Sequence, residues 1–177
     1  DGFVGVAPDA RELRDLAAIA TVIHYRLQSR AAQISGTIGN HRRKVGADWV
    51  ATLAGHSLAL SLSVNAQGDA TINLDEAETI EVASDWQPGT RHAAFRIGNR
   101  VLHVKTDVDG TAIRLRRRGM DVVARVRAPQ IAALARIMPE KRPPDTSRML
   151  LCPMPGVVTA LAVGPGDTVE AGEPLAT

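Results

Sequence analysis

Aromatic side chains are scarce in this 177-residue chain: Phe3, Tyr25, Trp49, Trp86 and Phe95 are all it has. Readers of single-stranded nucleic acid stack bases on aromatic faces, and there is little here to build such a platform. Cys152 is the single cysteine, so no internal disulfide forms, which fits a reducing compartment or indifference to redox state. It precedes a proline, no motif around it marks a nucleophile, and it reads as a small apolar filler. No apolar run approaches the ~20 residues that a membrane-crossing helix needs. The opening stretch, DGFVGVAPDA, lacks the layout of a secretory signal and reads as taken from a longer chain. Neither GxxxxGK[ST] nor GxGxxG occurs, so nothing in the sequence cradles a nucleotide. His24, His41, His56, His92 and His103 are scattered without metal-ligand spacing. The charge excess is small, +2 with a pI near 9.1, too mild to point to nucleic acid by itself.

What is present begins with one long helix. Asp9 followed by Glu12 has the reciprocal pattern of a capping box, with Asp in place of Ser or Thr. Leu13, Leu16, Ala20, Ile23, Leu27, Ala31 and Ile34 then recur at steps of three and four, predicting a helix over 9–34. Ala17, Ile19 and Val22 widen the apolar stripe beyond the single face of a surface helix, so other chain should wrap it.

The period changes after about residue 47. SLALSLSV (57–64) sets Leu58, Leu60, Leu62 and Val64 on one face and Ser57, Ala59, Ser61 and Ser63 on the other, as a half-buried strand does. Further strands are predicted at 48–54, 70–74, 78–84, 93–98, 100–106, 111–116 and 120–126. Turn residues separate them: Gly55, Gly68, Gly98-Asn99 and Asp109-Gly110. Connections this short favour antiparallel neighbours. The sequence therefore predicts an α+β fold: eight antiparallel strands in an up-and-down barrel around the long helix. Holding a helix calls for a barrel wider than usual or partly open. Pro129 opens a second, short helix, PQIAALARIM. PEKRPPDTSR (139–148), with three prolines and no periodicity, reads as a semi-stiff linker.

Past the linker, 150–152 and 157–163 read as strands, with Gly156, Gly164, Gly166 and Gly172 supplying turns. PMPG (153–156), VVTALAV and GPGDTVEAGEPL resemble the first half of a biotin carboxyl carrier domain. Gly166-Asp167, Val169, Gly172 and Leu175 match the pattern just ahead of that family's biotin-attachment hairpin. Its Ala-Met-Lys-Met tetrapeptide is not in this sequence and is expected a few residues after Thr177. Upstream, LAAIATVIHYRLQSR, VARVRAPQIAALARIMPEK and PPDTSRMLLCPMPG resemble the BT domain. That region lies between the biotin carboxylase and carrier domains in biotin-bearing alpha subunits of propionyl-CoA carboxylases.

The resemblance implies three parts: a BT domain at 1–138, the linker at 139–148, and half of a biotinyl-type β-sandwich at 149–177. It implies a chain without catalytic residues of its own, within a ligase that carboxylates biotin with ATP and bicarbonate and passes the carboxyl group to an acyl-CoA. That acyl-CoA is propionyl-CoA by the resemblance, with the same module from another acyl-CoA carboxylase as an alternative. Biotin would attach beyond Thr177, ATP and Mg would bind upstream, and the carboxyltransferase (beta) subunit would be the partner in a large hetero-oligomer. The location implied is cytoplasmic, or the mitochondrial matrix in a eukaryote. The connection SGTIGNHRRKV (35–45) is similar to the hook by which such domains grip that subunit, making Ile38, Asn40, His41, Arg42 and Arg43 the expected partner contacts.

Two surface features remain open at this level. RLRRRG (114–119) places Arg114 and Arg116 on one face of a strand, and Arg125 and Arg127 share a face of the next. Like charges facing each other there would cost stability. The Arg114–Arg118 face fits solvent, an acidic patch on a partner, or phosphates, so a nucleic-acid-binding barrel stands as the alternative reading.

Overall fold

A computed structural model describes residues 5–34, 43–74, 78–139 and 156–177. By internal packing the chain divides into two units, Asp1–Met138 and Pro139–Thr177. The first is built on helix α1, Ala10–Ala32. Its start follows from the sequence: Oδ1 of Asp9 accepts from the Glu12 backbone N–H at 2.7 Å, and Glu12 accepts from the Asp9 N–H at 3.2 Å.

Eight strands follow among the described residues: β1 Asp48–Leu53, β2 His56–Val64, β3 Ala70–Leu74, β4 Glu78–Ser84, β5 His92–Ile97, β6 Arg100–Asp109, β7 Ala112–Arg117 and β8 Met120–Arg127. Each pairs antiparallel with the next, and β8 returns to β1, so the barrel is closed. A partly open wall is therefore not needed. The thinnest seam is β4–β5, where only Val82, Ala83 and Ser84 pair with Ile97, Arg96 and Phe95.

The interior shows how a closed barrel holds a helix. Nine consecutive residues of α1, Asp15 to Ile23, are buried, so the helix is enclosed on all sides there. Four are alanine or threonine: Ala17, Ala18, Ala20 and Thr21. Small side chains allow a close backbone approach. The helix lies nearest β1, β8 and β2, and Ala51 and Ala124 are the small inward residues of β1 and β8. Elsewhere Phe95, Leu102, Val104 and Leu115 are packed into the same core. The expected stripe holds through Leu27 and then fails: Ala31 is exposed and Ile34 is 62% exposed. The helix there has run past the end of the barrel, and periodicity alone does not mark where the enclosing wall stops.

The two-residue turns follow the hairpin rules. Ala54-Gly55 and Arg118-Gly119 both have positive φ at each position, the backbone that matches strand twist in a tight hairpin. Glycine meets this without cost, whereas Ala54 and Arg118 adopt it against their preference.

Helix α2, Pro129–Ile137, begins on Pro129 and has no buried residue. Among the described residues no helix is long and apolar enough to cross a membrane.

The second unit is described from residue 156. The predicted strand at 157–163 is replaced by one isolated bridge, Leu161 with Ala176, and a few bonds around it, such as Ala162 N–H to Leu175 O at 3.0 Å. Val157 and Leu161 are 87% and 74% exposed. No second layer covers them among the described residues, and an uncovered pair of strands is marginal in water. The tight turns are present: the Gly164 N–H donates to Asp167 Oδ2 at 2.8 Å and the Glu170 N–H to Glu173 Oε2 at 3.0 Å. The strand predicted at 150–152, Cys152, and linker residues 140–148 lie outside the described residues.

Candidate functional site

The barrel's interior is filled by α1, so binding capacity lies on its ends and outer faces. One end is closed by Trp86, which follows β4 and is 1% exposed. Its indole Nε1–H reaches both the Thr90 carbonyl and Thr106 Oγ1 at 3.0 Å, and the Thr106 hydroxyl donates to the same carbonyl at 2.9 Å. Arg26, one turn beyond the buried part of α1, ties the helix to this end. Its guanidinium donates to the carbonyls of Trp86, Ser84 (3.0 Å) and Gly68 (3.3 Å). Burial lowers the affinity of Arg26 for its proton, and Asp69 and Asp85 act in the opposite direction. Sequence reasoning missed this clamp, because nothing in the helix pattern distinguishes Arg26 from a solvated arginine.

At the other end of the enclosed segment, Asp15 is 2% exposed. Its Oδ1 accepts from Arg100 Nη2 at 3.0 Å, and Oδ2 lies 2.8 Å from Nη1 without hydrogen-bond alignment. The bond from Asp15 raises the pKa of Arg100 above the ordinary arginine range.

Of the expected partner contacts, Ile38, Asn40, His41 and Arg42 lie outside the described residues. Arg43 is described, at the root of that connection, and its Nη2 donates to Gln28 Oε1 on α1 at 2.6 Å. Val45 packs against the core, and the Ala47 carbonyl accepts from the Leu62 N–H at 2.9 Å. His24 meets Trp49 edge-to-face, with ring centroids 4.7 Å apart. The chain is thus held to α1 and to the barrel just as it re-enters β1.

His24 gives this root a pH signature. Burial, and secondarily the Arg43 charge, lower its pKa below the ordinary 6.5. The unfolded chain then binds the proton more readily than the folded one. Stability is fully present above pH 6.5 and falls as pH drops through the lower folded value. The expected slope is at most about 1.4 kcal/mol per pH unit. Denaturant titrations across that range should show it, and His24→Gln should flatten it.

The arginine face is resolved by register. Like charges do not face each other across β7 and β8: Arg114 stands opposite Val123 and Arg116 opposite Asp121. Arg114 makes a two-pronged pair with Asp121, at 2.7 and 2.5 Å, and Arg116 pairs with Asp107 on the other flank. Arg125 lies beside Ala112 and Thr52. The expected like-charge cost falls instead on β6–β7, where Lys105 stands opposite Arg116.

A filled, closed barrel with clamps at its ends defines the class: a helix-cored β-barrel domain. The chain belongs to the propionyl-coenzyme A carboxylase BT domain family, whose description matches residues 16–141. It is similar to the propionyl-CoA carboxylase alpha chain of Ruegeria pomeroyi, 40% identical over 177 residues, which is 100% of this chain and 26% of that protein. It is 28% identical to the mitochondrial propionyl-CoA carboxylase alpha chain of Mus musculus over 180 residues, 99% of this chain and 25% of that one. The chain therefore spans about a quarter of the length of these relatives.

Proposed function

We propose that this chain joins the biotin-bearing subunit of an acyl-CoA carboxylase to its carboxyltransferase subunit. The parent reaction is ATP-dependent carboxylation of biotin by bicarbonate, followed by carboxyl transfer to propionyl-CoA to give methylmalonyl-CoA. The observation carrying this reading is the solid interior. With Asp15 to Ile23 occupying the barrel, its interior offers no chamber for a substrate among the described residues, and in this reading its contribution is geometric. The relatives' name supports the enzyme class, and the Ruegeria pomeroyi alignment runs through all 177 residues, including the carrier-like segment at 149–177.

In this reading residues 35–42, anchored through Arg43 and Val45, reach the beta subunit. The linker at 139–148 can extend to ~30 Å as polyproline II, keeping a tethered biotin at raised effective concentration near two active sites. Biotin attaches past Thr177, and ATP and Mg act in an upstream domain. The assembly works in the cytoplasm, or in the mitochondrial matrix of a eukaryote.

Alanine at Ile38, His41, Arg42 and Arg43 together should weaken capture of the beta subunit by the full-length alpha chain by about 100-fold or more, since a few interface residues carry most binding energy. Gel filtration of the mixed subunits checks this. Unchanged co-elution removes the hook from the mechanism.

A further inference from the structure

The outer face of β5, β6 and β7 carries basic groups that stand opposite one another across the strands. Register sets His92 opposite Lys105 and Lys105 opposite Arg116, a row of basic groups crossing three strands. His103 lies two residues along β6 from Lys105 and so shares its face. Arg118, in the β7–β8 turn, completes the end of the row, and Arg117, which has the inward parity of Ile113 and Leu115, borders it. These residues line one groove of about 510 Å³, whose other walls are Asp85, Ala93, Ala94 and Val104.

Cross-strand neighbours stand about 5 Å apart, and like charges directly opposite destabilise a sheet. Elsewhere on the barrel, Arg14 meets Glu78 at 2.5 Å, Arg114 meets Asp121 and Arg100 meets Asp15. Arg96, Arg125 and Arg127 have no ion-pair partner among the described residues but do not stand opposite another cation. In the groove Arg116 has Asp107, and Arg117 lies 3.5 Å from Glu12. Lys105, His92, His103 and Arg118 have no ion-pair partner among the described residues. Asp85 is the one lining carboxylate, and its Oδ1 accepts the Ala94 N–H at 3.3 Å. Arg118 sits at φ +45 in its turn. Ala54 tolerates the same position in the β1–β2 turn, so what is particular to 118 is the charge held there.

We propose that this groove docks an acidic segment of a partner protein, its carboxylates laid across the row His92–Lys105–Arg116 and reaching Arg118. The cations are strung over about 10 Å, two strand spacings, and do not converge on one point. The backbone beneath them is committed to the β5–β6–β7 ladders, so no nest of free N–H groups is offered to a compact phosphate. No Phe, Tyr or Trp lines the groove, which leaves a nucleic acid without a stacking face. An extended acidic strand presents a side chain to one side about every 6.6 Å, a stride that suits the row. None of this depends on the hook.

The test uses fluorescein-labelled octaglutamate and the 177-residue chain in fluorescence anisotropy at low and at physiological salt. Saturable binding that weakens with salt is expected. Lys105→Glu/Arg118→Glu should weaken it by about 10-fold or more, and Lys105→Met/Arg118→Met by a smaller factor in the same direction. Arg125→Glu/Arg127→Glu, with the same change in net charge on β8, should leave it within about 2-fold. Lys105→Glu alone should melt close to the native chain, because it puts an opposite charge across from Arg116 and a like charge beside Asp107. Binding lost while stability is kept separates a docking surface from a structural one. Equal weakening by the β8 variant, absence of saturable binding at low salt, or displacement by tripolyphosphate or a short oligothymidylate at lower concentration than unlabelled octaglutamate would each overturn the assignment.

Discussion

Trp86→Ala is expected to lower the unfolding free energy by about 3–5 kcal/mol, the range for truncating a buried aromatic side chain. Three losses coincide there. The side chain is 1% exposed and its removal opens a cavity at the end of the barrel. Thr106, itself 2% exposed, loses the indole donor on which its hydroxyl depends. The Thr90 carbonyl loses one of two donors. The seam nearest this plug is β4–β5, the shortest pairing in the barrel, so little else holds those strands together. Trp86→Phe separates the contributions: it keeps most of the volume and loses the N–H, and should cost about 1–2 kcal/mol. Urea unfolding followed by far-ultraviolet circular dichroism measures both. A cost below about 1 kcal/mol for the alanine variant would show that the end of the barrel does not need its plug.

Arg100→Met should cost about 2–4 kcal/mol, although the residue replaced is a surface-reaching arginine. What it leaves behind is the reason. Asp15 is 3% exposed at its side chain, and Arg100 is its cation. Removing one member of a buried pair strands the other, typically at 3–5 kcal/mol, and the 38% exposure of the Arg100 side chain reduces that figure here. Asp15→Leu/Arg100→Met should recover most of the loss, to within about 1 kcal/mol of the native chain, since a buried ion pair is often replaceable by apolar groups of similar size. A double variant no more stable than Arg100→Met alone would mean that the pair holds the helix in place and does more than neutralise a buried charge.

How far such features could be seen in advance depends on the range of the interaction. The capping box at Asp9 and Glu12, the start of α2 at Pro129 and the turns at Gly55, Gly68, Gly98-Asn99 and Asp109-Gly110 are decided within a few residues, and each was legible. The turn at Arg118-Gly119 was read only as part of a basic run. The parity of the strands was legible too, because alternation in Leu58, Leu60 and Leu62 already says which face turns inward. Val64 has the same parity and is 38% exposed, since parity does not say how far along a strand the core extends. The candidate contacts at 38–43 came from resemblance to a family, and only Arg43 has a described partner, Gln28.

The sequence by itself determined the elements: one helix too apolar to lie on a surface, and eight alternating segments with turns between them. These rest on periodicity and local backbone preference, which act over a few residues. Tertiary structure alone decided which side chains meet across the barrel. Closure of β8 on β1 is one such choice; the Asp15–Arg100 pair, 85 residues apart, is another. The Arg26 clamp and the pairing of Arg114 with Asp121 complete the set. Register and closure set these neighbours, and a shift of one residue in register would turn every side chain of a strand to the other face. The basic row on β5–β7 belongs with them, because its charges are far apart in the chain and become neighbours only once the sheet is wound around its helix.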